Sequence, residues 1–416
     1  MRLPRNFSGL VVCCLVLAGC KAGGPVTDSQ SAFEDSSEST TYLSVLTPDI
    51  AVGQRPVSSS DEAGLWLMVD RSEARTKTSC DLVRDPALNA YVSNIVCNLA
   101  GPHCPDVRVY IARVPHFNAT MSPNGMMVVW TGLLLRVRNE AQLANVLGHE
   151  IGHYLRRHGV ERFRRIRDTY GFLTFMSMGM AMVGIPLITD IAAIAAQGGL
   201  SSYNRRDETE ADTIGLSKIA DAGYHVGEAT LVWDNVTKEY ELSGEERQFS
   251  LFLSSHPRPE DRRKELVGRA DKILGKMAGV KRQCHTERFR AAIAPWRQRL
   301  LRDEVQRHEH KRSLGLLDML IEDGFRVGEL HYFKGEIYRL RDDAKLDDRA
   351  AALRSYETAI DLGGHPPELH KSLGLLRLRM NDRPGAFTSF NQYLDNSPDA
   401  PDRDYILSLI KPANGS

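Results

Sequence analysis

His149-Glu150-Ile151-Gly152-His153, taken with Tyr203-Asn204-Arg205-Arg206-Asp207-Glu208-Thr209-Glu210-Ala211-Asp212, decides how this 416-residue chain is read. The first stretch closes a helical pattern that opens at Ala141-Gln142-Leu143-Ala144-Asn145-Val146-Leu147-Gly148. Two histidines four apart on a helix share a face, so their imidazoles can grip one Zn2+ together. Glu150 projects to the side of that face, where it can take a proton from a water molecule at the metal. An HExxH also arises by chance on amphipathic helices, so its weight depends on a third ligand. The chain does not continue as HExxHxxGxxH: Arg156 stands at the Gly position and Gly159 at the third His. His158 is one residue out of register and reads as exposed. The second stretch supplies a carboxylate instead. Glu208 and Asp212 are four apart and can face the same metal, Glu208 as ligand and Asp212 as the acceptor that fixes a ligand imidazole's tautomer. Alone, the two acids would read as solvated charge.

Further motifs surround these in a fixed order. Asn118-Ala119, Pro123-Asn124-Gly125 and Thr131-Gly132-Leu133-Leu134 come before the HExxH. Arg205, Glu208, Ala211 and Asp212 follow it, then Ala222-Gly223-Tyr224, then Ser255-His256-Pro257 with Arg262. In these motifs, over roughly residues 60 to 270, the chain resembles the zinc metallopeptidases of the HtpX, BepA and CAAX-prenyl-protease group. It departs from that group's pattern at Asn204, where a Ser is usual, and at Val226, where a Pro is usual. The resemblance implies one Zn2+ per chain, held by His149, His153 and Glu208, with Glu150 as general base. For His256 it implies a loop position near the metal. There the imidazole would fill the fourth coordination position and hold the enzyme latent. Swung aside, it would stabilise an oxyanion instead; an ordinary loop histidine is the remaining alternative. The implied fold is mainly α with a small β-sheet: a zincin-like metallopeptidase domain at 61–280, followed by helices at 281–416.

Val107-Arg108-Val109-Tyr110-Ile111-Ala112 and Met126-Met127-Val128-Val129-Trp130 read as short strands. They would form a structural hairpin packed on the metal helix, and an edge strand beside the metal would also pair with extended substrate backbone.

Residues 1–19 read as a lipoprotein signal peptide. Arg2 and Arg5 precede an apolar run from Leu10 to Ala18, and Leu17-Ala18-Gly19-Cys20 looks like a bacterial lipobox with Cys20 as the lipidated residue. Lys21 resembles the pattern of lipoproteins sent to the outer membrane of Gram-negative cells. Residues 20–60, rich in small and polar side chains, read as a flexible tether with an average reach of roughly 35 Å. The expected compartment is therefore the periplasm. Of the seven cysteines, Cys80, Cys97, Cys104 and Cys284 remain after the signal and the lipid site. A Cys97–Cys104 disulfide around Gly101-Pro102-His103 is favoured, leaving Cys80–Cys284; free buried thiols are the alternative.

Gly171 to Thr189 carries no charge and is long enough to span a bilayer. A single crossing would separate His149 and His153 from Glu208, so the stretch reads as buried helices closing over the site, or as a gating element. The formal charge is zero, which excludes a global attraction to nucleic acid. Arg156, Arg157, Arg162, Arg164, Arg165 and Arg167 read as a solvated helix face.

The C-terminal third carries a repeat. Leu373, Gly374, Ala386, Phe390 and Pro398 fall at tetratricopeptide spacing, and Gly335, Tyr338, Ala352, Tyr356 and Ala359 repeat the logic one unit upstream. Two to three degenerate repeats are expected between about 305 and 412, offering grooves for protein segments. The reading as a whole is a lipid-anchored periplasmic zinc endopeptidase. By resemblance, its substrates would be misfolded or misassembled outer-membrane proteins, and its repeats would meet clients or the outer-membrane assembly machinery. A chaperone or adaptor with a latent site is the alternative.

Overall fold

A computed structural model describes residues 49–170, 203–244, 256, 259–276, 282–344 and 347–410. The signal peptide, Cys20, the tether up to residue 48, the apolar stretch 171–189, Ser255 and Pro257 lie outside the described residues. The chain runs α1 (Asp61–Thr78), α2 (Pro86–Ala100), β1 (Arg108–Ala112), β2 (Ala119–Met121), β3 (Met126–Trp130), α3 (Thr131–Arg136), α4 (Glu140–Leu155) and α5 (His158–Tyr170). It continues through α6 (Arg205–Asp221), α7 (Glu228–Ser243), α8 (Pro259–Lys276), α9 (Thr286–Val305), α10 (His310–Glu322), α11 (Val327–Arg341), α12 (Asp348–Leu362), α13 (Glu368–Arg379), α14 (Arg383–Asn396) and α15 (Arg403–Ile410). The described residues are thus mainly helical with one small sheet. Among them, no helix is long and apolar enough to cross a membrane.

The sheet has the order β1-β3-β2. β3 is buried along its whole length and lies parallel to β1, Arg108 opposite Met126, and antiparallel to β2, Ala119 opposite Val129. The hairpin expected between β1 and β3 is therefore a β2–β3 hairpin. Its turn is set by Asn124, whose Oδ1 accepts the Met126 N–H at 2.9 Å, and by Gly125 at φ +87°. A Cβ at Gly125 would fall 2.1 Å from the Asp106 carbonyl oxygen, so this position admits only glycine.

α4 begins with reciprocal caps. Asn139 accepts the Gln142 N–H at 2.9 Å, and Gln142 accepts the Arg138 N–H at 2.8 Å. Glu140 at its first turn accepts hydrogen bonds from Tyr91 (2.9 Å), Tyr224 (2.7 Å) and Arg288, tying three elements to this helix. From Glu140 to Tyr154 every residue of α4 is buried. α4 crosses α6 at backbone contact. A Cβ on Gly152 would lie 2.8 Å from the Ala211 carbonyl oxygen, and one on Gly215 would lie 3.0 Å from the His149 amide nitrogen. Small residues spaced four apart on both helices, Gly148 and Gly152 against Ala211 and Gly215, let the backbones approach this closely. α6 is capped by Asn204, which accepts the Asp207 N–H at 2.8 Å. Ser and Asn perform this task equally well, so the departure from the usual Ser is neutral at this cap. α6 ends at Gly223 (φ +82°), with Gly223 N–H donating to Ala220 and Tyr224 N–H to Ile219.

In the C-terminal third, α11 packs on α12 and α13 on α14. A Cβ on Gly335 would meet the Tyr356 ring at 2.5 Å, and one on Gly374 the Phe390 ring at 2.5 Å. Each glycine makes room for one aromatic ring between paired helices. The described residues all fall within one compact unit. Within it, α9 is bonded to the first half of the chain. Arg113 pairs bidentately with Asp303 (2.7 and 2.5 Å). Arg136 of α3 pairs with Glu239 of α7 and Glu304 of α9, all wholly buried.

One expectation is refined here and one fails. The arginine run lies on a partly exposed surface and is held in ion pairs. Arg157 pairs with Glu62, Arg164 and Arg167 with Asp61, Arg165 with Asp207, and Arg156 with Asp49 and Glu210. Arg164 and Arg167 in turn hold the Asp61 carboxyl down at about 2. Of the two disulfides, Cys97–Cys104 is present, but Cys80 and Cys284 are free. Cys80 sits exposed in the turn after α1. Cys284 is held elsewhere, its carbonyl accepting the Ala141 N–H and its Sγ facing Glu228 at 3.4 Å.

Candidate active site

The α4–α6 crossing decides the site. His149 and His153 stand one turn apart on α4, and their Nε2 atoms lie 3.0 Å from each other. Glu208, in the first turn of α6, places Oε1 3.4 Å from His153 Nε2 and Oε2 3.7 Å from His149 Nε2. His256 brings Nδ1 to 2.8 Å from Glu208 Oε1 and 3.3 Å from His149 Nε2. One ligand atom from each of His149, His153, Glu208 and His256 thus lies within 4.8 Å of the others, and all four residues are buried. Two nitrogens bound to one tetrahedral Zn2+ at about 2.0–2.1 Å would stand roughly 3.3 Å apart. The donor set of three imidazoles and one carboxylate fits that ion.

Each ring is oriented from behind. Asp212 Oδ1 lies 2.8 Å from His149 Nδ1, so the N–H on Nδ1 donates to the carboxylate and leaves Nε2 as a lone-pair donor. His153 Nδ1 lies 2.9 Å from His158 Nδ1, and His158 Nε2 lies 3.1 Å from Glu210 Oε2. One proton arrangement satisfies this chain while keeping His153 Nε2 free for a metal: His153 donates to His158, and His158 donates to Glu210. Burial, then the neighbouring His153, push His158 down to about 4, so it is neutral at pH 7. His158 is 1% exposed, not solvated as its spacing suggests. Helical spacing does not hold here because α4 does not continue into α5. The chain breaks at Arg157, at φ +55°, and α5 restarts at His158, aiming that ring back under His153.

Tyr203 was also missed. Its ring stacks on His153, centroids 3.9 Å apart and planes 23° apart, with the Arg162 guanidinium 4.9 Å from the ring centroid. Burial pushes its phenol up to about 12, so it is neutral. Its position one residue before the Asn204 cap was the available signal.

Glu150 lies beside the cluster. Its Oε2 accepts the Met121 N–H from β2 at 3.1 Å, and its Oε1 lies 3.5 Å from His256 Nε2. β2 is an edge strand of the sheet, and its last residue, Met121, is the one whose N–H meets the general-base position.

Replacing His158 by Ala is expected to weaken Zn2+ affinity by about 10- to 100-fold, the usual effect of losing a group that orients a ligand imidazole. Competition against a chromophoric chelator measures this. An unchanged affinity would show that His153 needs no such support.

The profile of Peptidase family M48 matches residues 75–270. The chain is 29% identical over 192 residues to a putative beta-barrel assembly-enhancing protease of Vibrio cholerae, a match covering 44% of this chain and 39% of that protein. It is 25% identical over 218 residues to the beta-barrel assembly-enhancing protease of Escherichia coli, covering 50% and 44%. It is 33% identical over 159 residues to the mitochondrial metalloendopeptidase OMA1 of Arabidopsis thaliana, covering 38% and 30%. The chain spans less than half the length of each of these relatives. The HExxH helix, its partner helix and the sheet beside them all fall inside the matched stretch, and the chain therefore carries a metallopeptidase domain of peptidase family M48.

Proposed function

We propose that this chain is a zinc metalloendopeptidase of the bacterial envelope that hydrolyses peptide bonds of misfolded or misassembled outer-membrane proteins. The observation that carries the chemistry is the convergence of four buried ligand atoms within 4.8 Å beside the Glu150 carboxylate. His149, His153 and Glu208 would hold Zn2+, which when bound supplies Lewis acidity and lowers the pKa of water. Glu150, fixed by the Met121 N–H, accepts the proton of the attacking water and returns it to the leaving amine. Asp212 and the His158–Glu210 pair hold the two imidazoles in the required tautomers. The edge of β2 would receive an extended substrate segment by strand addition.

His256 would act as a fourth ligand through Nδ1 and keep the site latent. Its distances to Glu208 and His149 support that role, as does its 2% exposure, matched by Glu150. A peptide reaches Glu150 only after this ring moves. Swung aside, the imidazole would stabilise the oxyanion. The names of the Vibrio and Escherichia relatives support the substrate class. The lipobox ending at Cys20 supports a lipid anchor, with the outer membrane as destination. The helix pairs α11–α12 and α13–α14 would serve as tetratricopeptide-like grooves for clients or assembly partners, and the same pairs support the second reading, an adaptor whose protease site stays closed.

The test is casein hydrolysis by purified protein, with zinc content measured in parallel, for wild type and His256→Ala. The variant is expected to retain one zinc at the HExxH site and to hydrolyse several-fold faster. A variant that keeps its zinc and is no faster overturns latency. If neither protein cleaves with zinc bound, the adaptor reading replaces the protease.

A further inference from the structure

A second cluster of metal-ligating side chains lies at the other end of α4. His225 belongs to the turn from α6 into α7, Glu228 opens α7, and Cys284 belongs to the segment entering α9. Each offers one ligand atom within 4.8 Å of the others. Glu228 is bonded to Asn139 and Gln142 at the first turn of α4. His149 is about 10 Å further along that helix at 1.5 Å per residue, so the two clusters are separate sites.

The backbone around this cluster is fixed from three sides. His225 N–H donates to the Gln283 carbonyl at 3.1 Å, Gln283 N–H donates to Gly223 at 3.1 Å, and Ala141 N–H donates to Cys284 at 3.2 Å. Tyr224 and Gln283 form a parallel bridge. Histidine and cysteine are thereby set beside each other by main-chain bonds that do not depend on their side chains. The carboxylate is fixed as well. Glu228 Oε2 accepts N–H bonds from the Asn139 and Gln142 side-chain amides, each at 2.9 Å, while Oε1 faces Cys284 Sγ at 3.4 Å. Two neutral amides on the far oxygen orient a carboxylate as the outer shell of a metal site does.

The third member supplies the independent sign of a missing partner. His225 Nδ1 is buried and has no hydrogen-bond partner among the described residues. An unsatisfied buried ring nitrogen is costly, and an unplaced ion is one standard explanation. Gly227 leaves the space for this ring: a Cβ there would fall 2.9 Å from His225 Cε1 and 3.1 Å from Nδ1.

We propose that His225, Glu228 and Cys284 bind a second Zn2+ that fastens the α6–α7 turn to the segment entering α9. One nitrogen, one sulfur and one oxygen donor suit zinc. Magnesium and calcium take oxygen sets, and thiolate selects softer ions. Binding releases the Cys284 thiol proton to solvent and leaves the thiolate on the metal. The site stands apart from the HExxH chemistry. Its role is structural, holding the entry to the C-terminal helices against the first turn of the metal helix.

The experiment uses the full chain loaded with Zn2+ and freed of excess. Two zinc ions per chain are expected in wild type. One is expected in Cys284→Ser and in His225→Ala, and one in the His149→Ala/His153→Ala double variant. Loading with Co2+ should give a thiolate-to-cobalt charge-transfer absorption that disappears in Cys284→Ser and persists in the double variant. On wild type alone, zinc should slow alkylation of Cys284, read by peptide mass mapping, while exposed Cys80 serves as the unprotected control. This last arm needs no variant to fold. One zinc per chain in both wild type and Cys284→Ser, no thiolate band, or alkylation of Cys284 at the same rate with and without zinc would each overturn the site.

Discussion

Glu150→Gln will reduce peptide hydrolysis by about 10²- to 10⁴-fold while leaving zinc content unchanged. That loss corresponds to roughly 3–5 kcal/mol of barrier at 1.36 kcal/mol per tenfold. The substitution is close to isosteric. The Gln side-chain oxygen can still accept the Met121 N–H that Glu150 Oε2 accepts at 3.1 Å, so the side chain should stay where it is. Its carbonyl cannot take up the proton of the attacking water, and only that function is removed. Glu150 is not among the four clustered ligand residues, so metal affinity should not follow activity. The measurement is kcat/KM on a fluorogenic casein-derived peptide, with metal analysis of the same samples, in the His256→Ala background so that latency does not mask the effect. Activity within tenfold of the parent, with zinc retained, would remove Glu150 from proton transfer. Loss of zinc together with activity would make it a ligand instead.

How much of this could be read beforehand follows from how local each signal is. His149, Glu150, His153, Glu208 and Asp212 were legible because a helix's period places residues four apart on one face, and both helices carry their own caps. The crossing that joins them was written in Gly148, Gly152, Ala211 and Gly215, a small-residue pattern that went unread. His158 was misplaced because its position depends on a break at Arg157, and no periodic argument survives a left-handed residue. The ion-pair partners of the arginine run are hidden for a different reason. Its acids, Asp61 and Glu62, lie about a hundred residues upstream, and nothing in the run itself announces them. The parallel β1–β3 pairing has the same origin. Between two strands of equal pattern, the short β2 inserts and turns back, and only the Asn124-Gly125 turn hinted at it.

Arg136→Met should destabilise the protein by about 3–5 kcal/mol in urea unfolding, the usual cost of breaking a buried ion pair from one side. Arg136 is 3% exposed and donates to Glu239 Oε2 (2.7 Å), Glu239 Oε1 (2.9 Å) and Glu304 Oε2 (3.0 Å). Arg312 donates to Glu239 at 2.7 Å, and Arg307 donates to Glu304 at 2.8 and 3.0 Å. Removing Arg136 leaves two buried carboxylates with one arginine each and open acceptor positions. The pH dependence separates this account from simple loss of packing. Burial alone would raise the Glu304 carboxyl, but Arg136 and Arg307 outweigh it and hold it at about 2, below its ordinary 4.5. A depressed folded-state value means the stabilisation is present above about pH 4.5 and is lost as pH falls toward 2. The gap between wild type and Arg136→Met should therefore be widest near neutral pH and should narrow through that window. A gap that stays constant from pH 7 to pH 3 would assign the loss to packing. Replacing Arg136, Glu239, Glu304, Arg307 and Arg312 together by apolar residues should recover much of the stability, because no charge of the cluster is then left buried without its partner. Because the cluster joins α3, α7, α9 and α10, the single variant should also loosen the C-terminal helices from the metallopeptidase domain, and proteolysis near residues 305–310 should quicken before global unfolding begins.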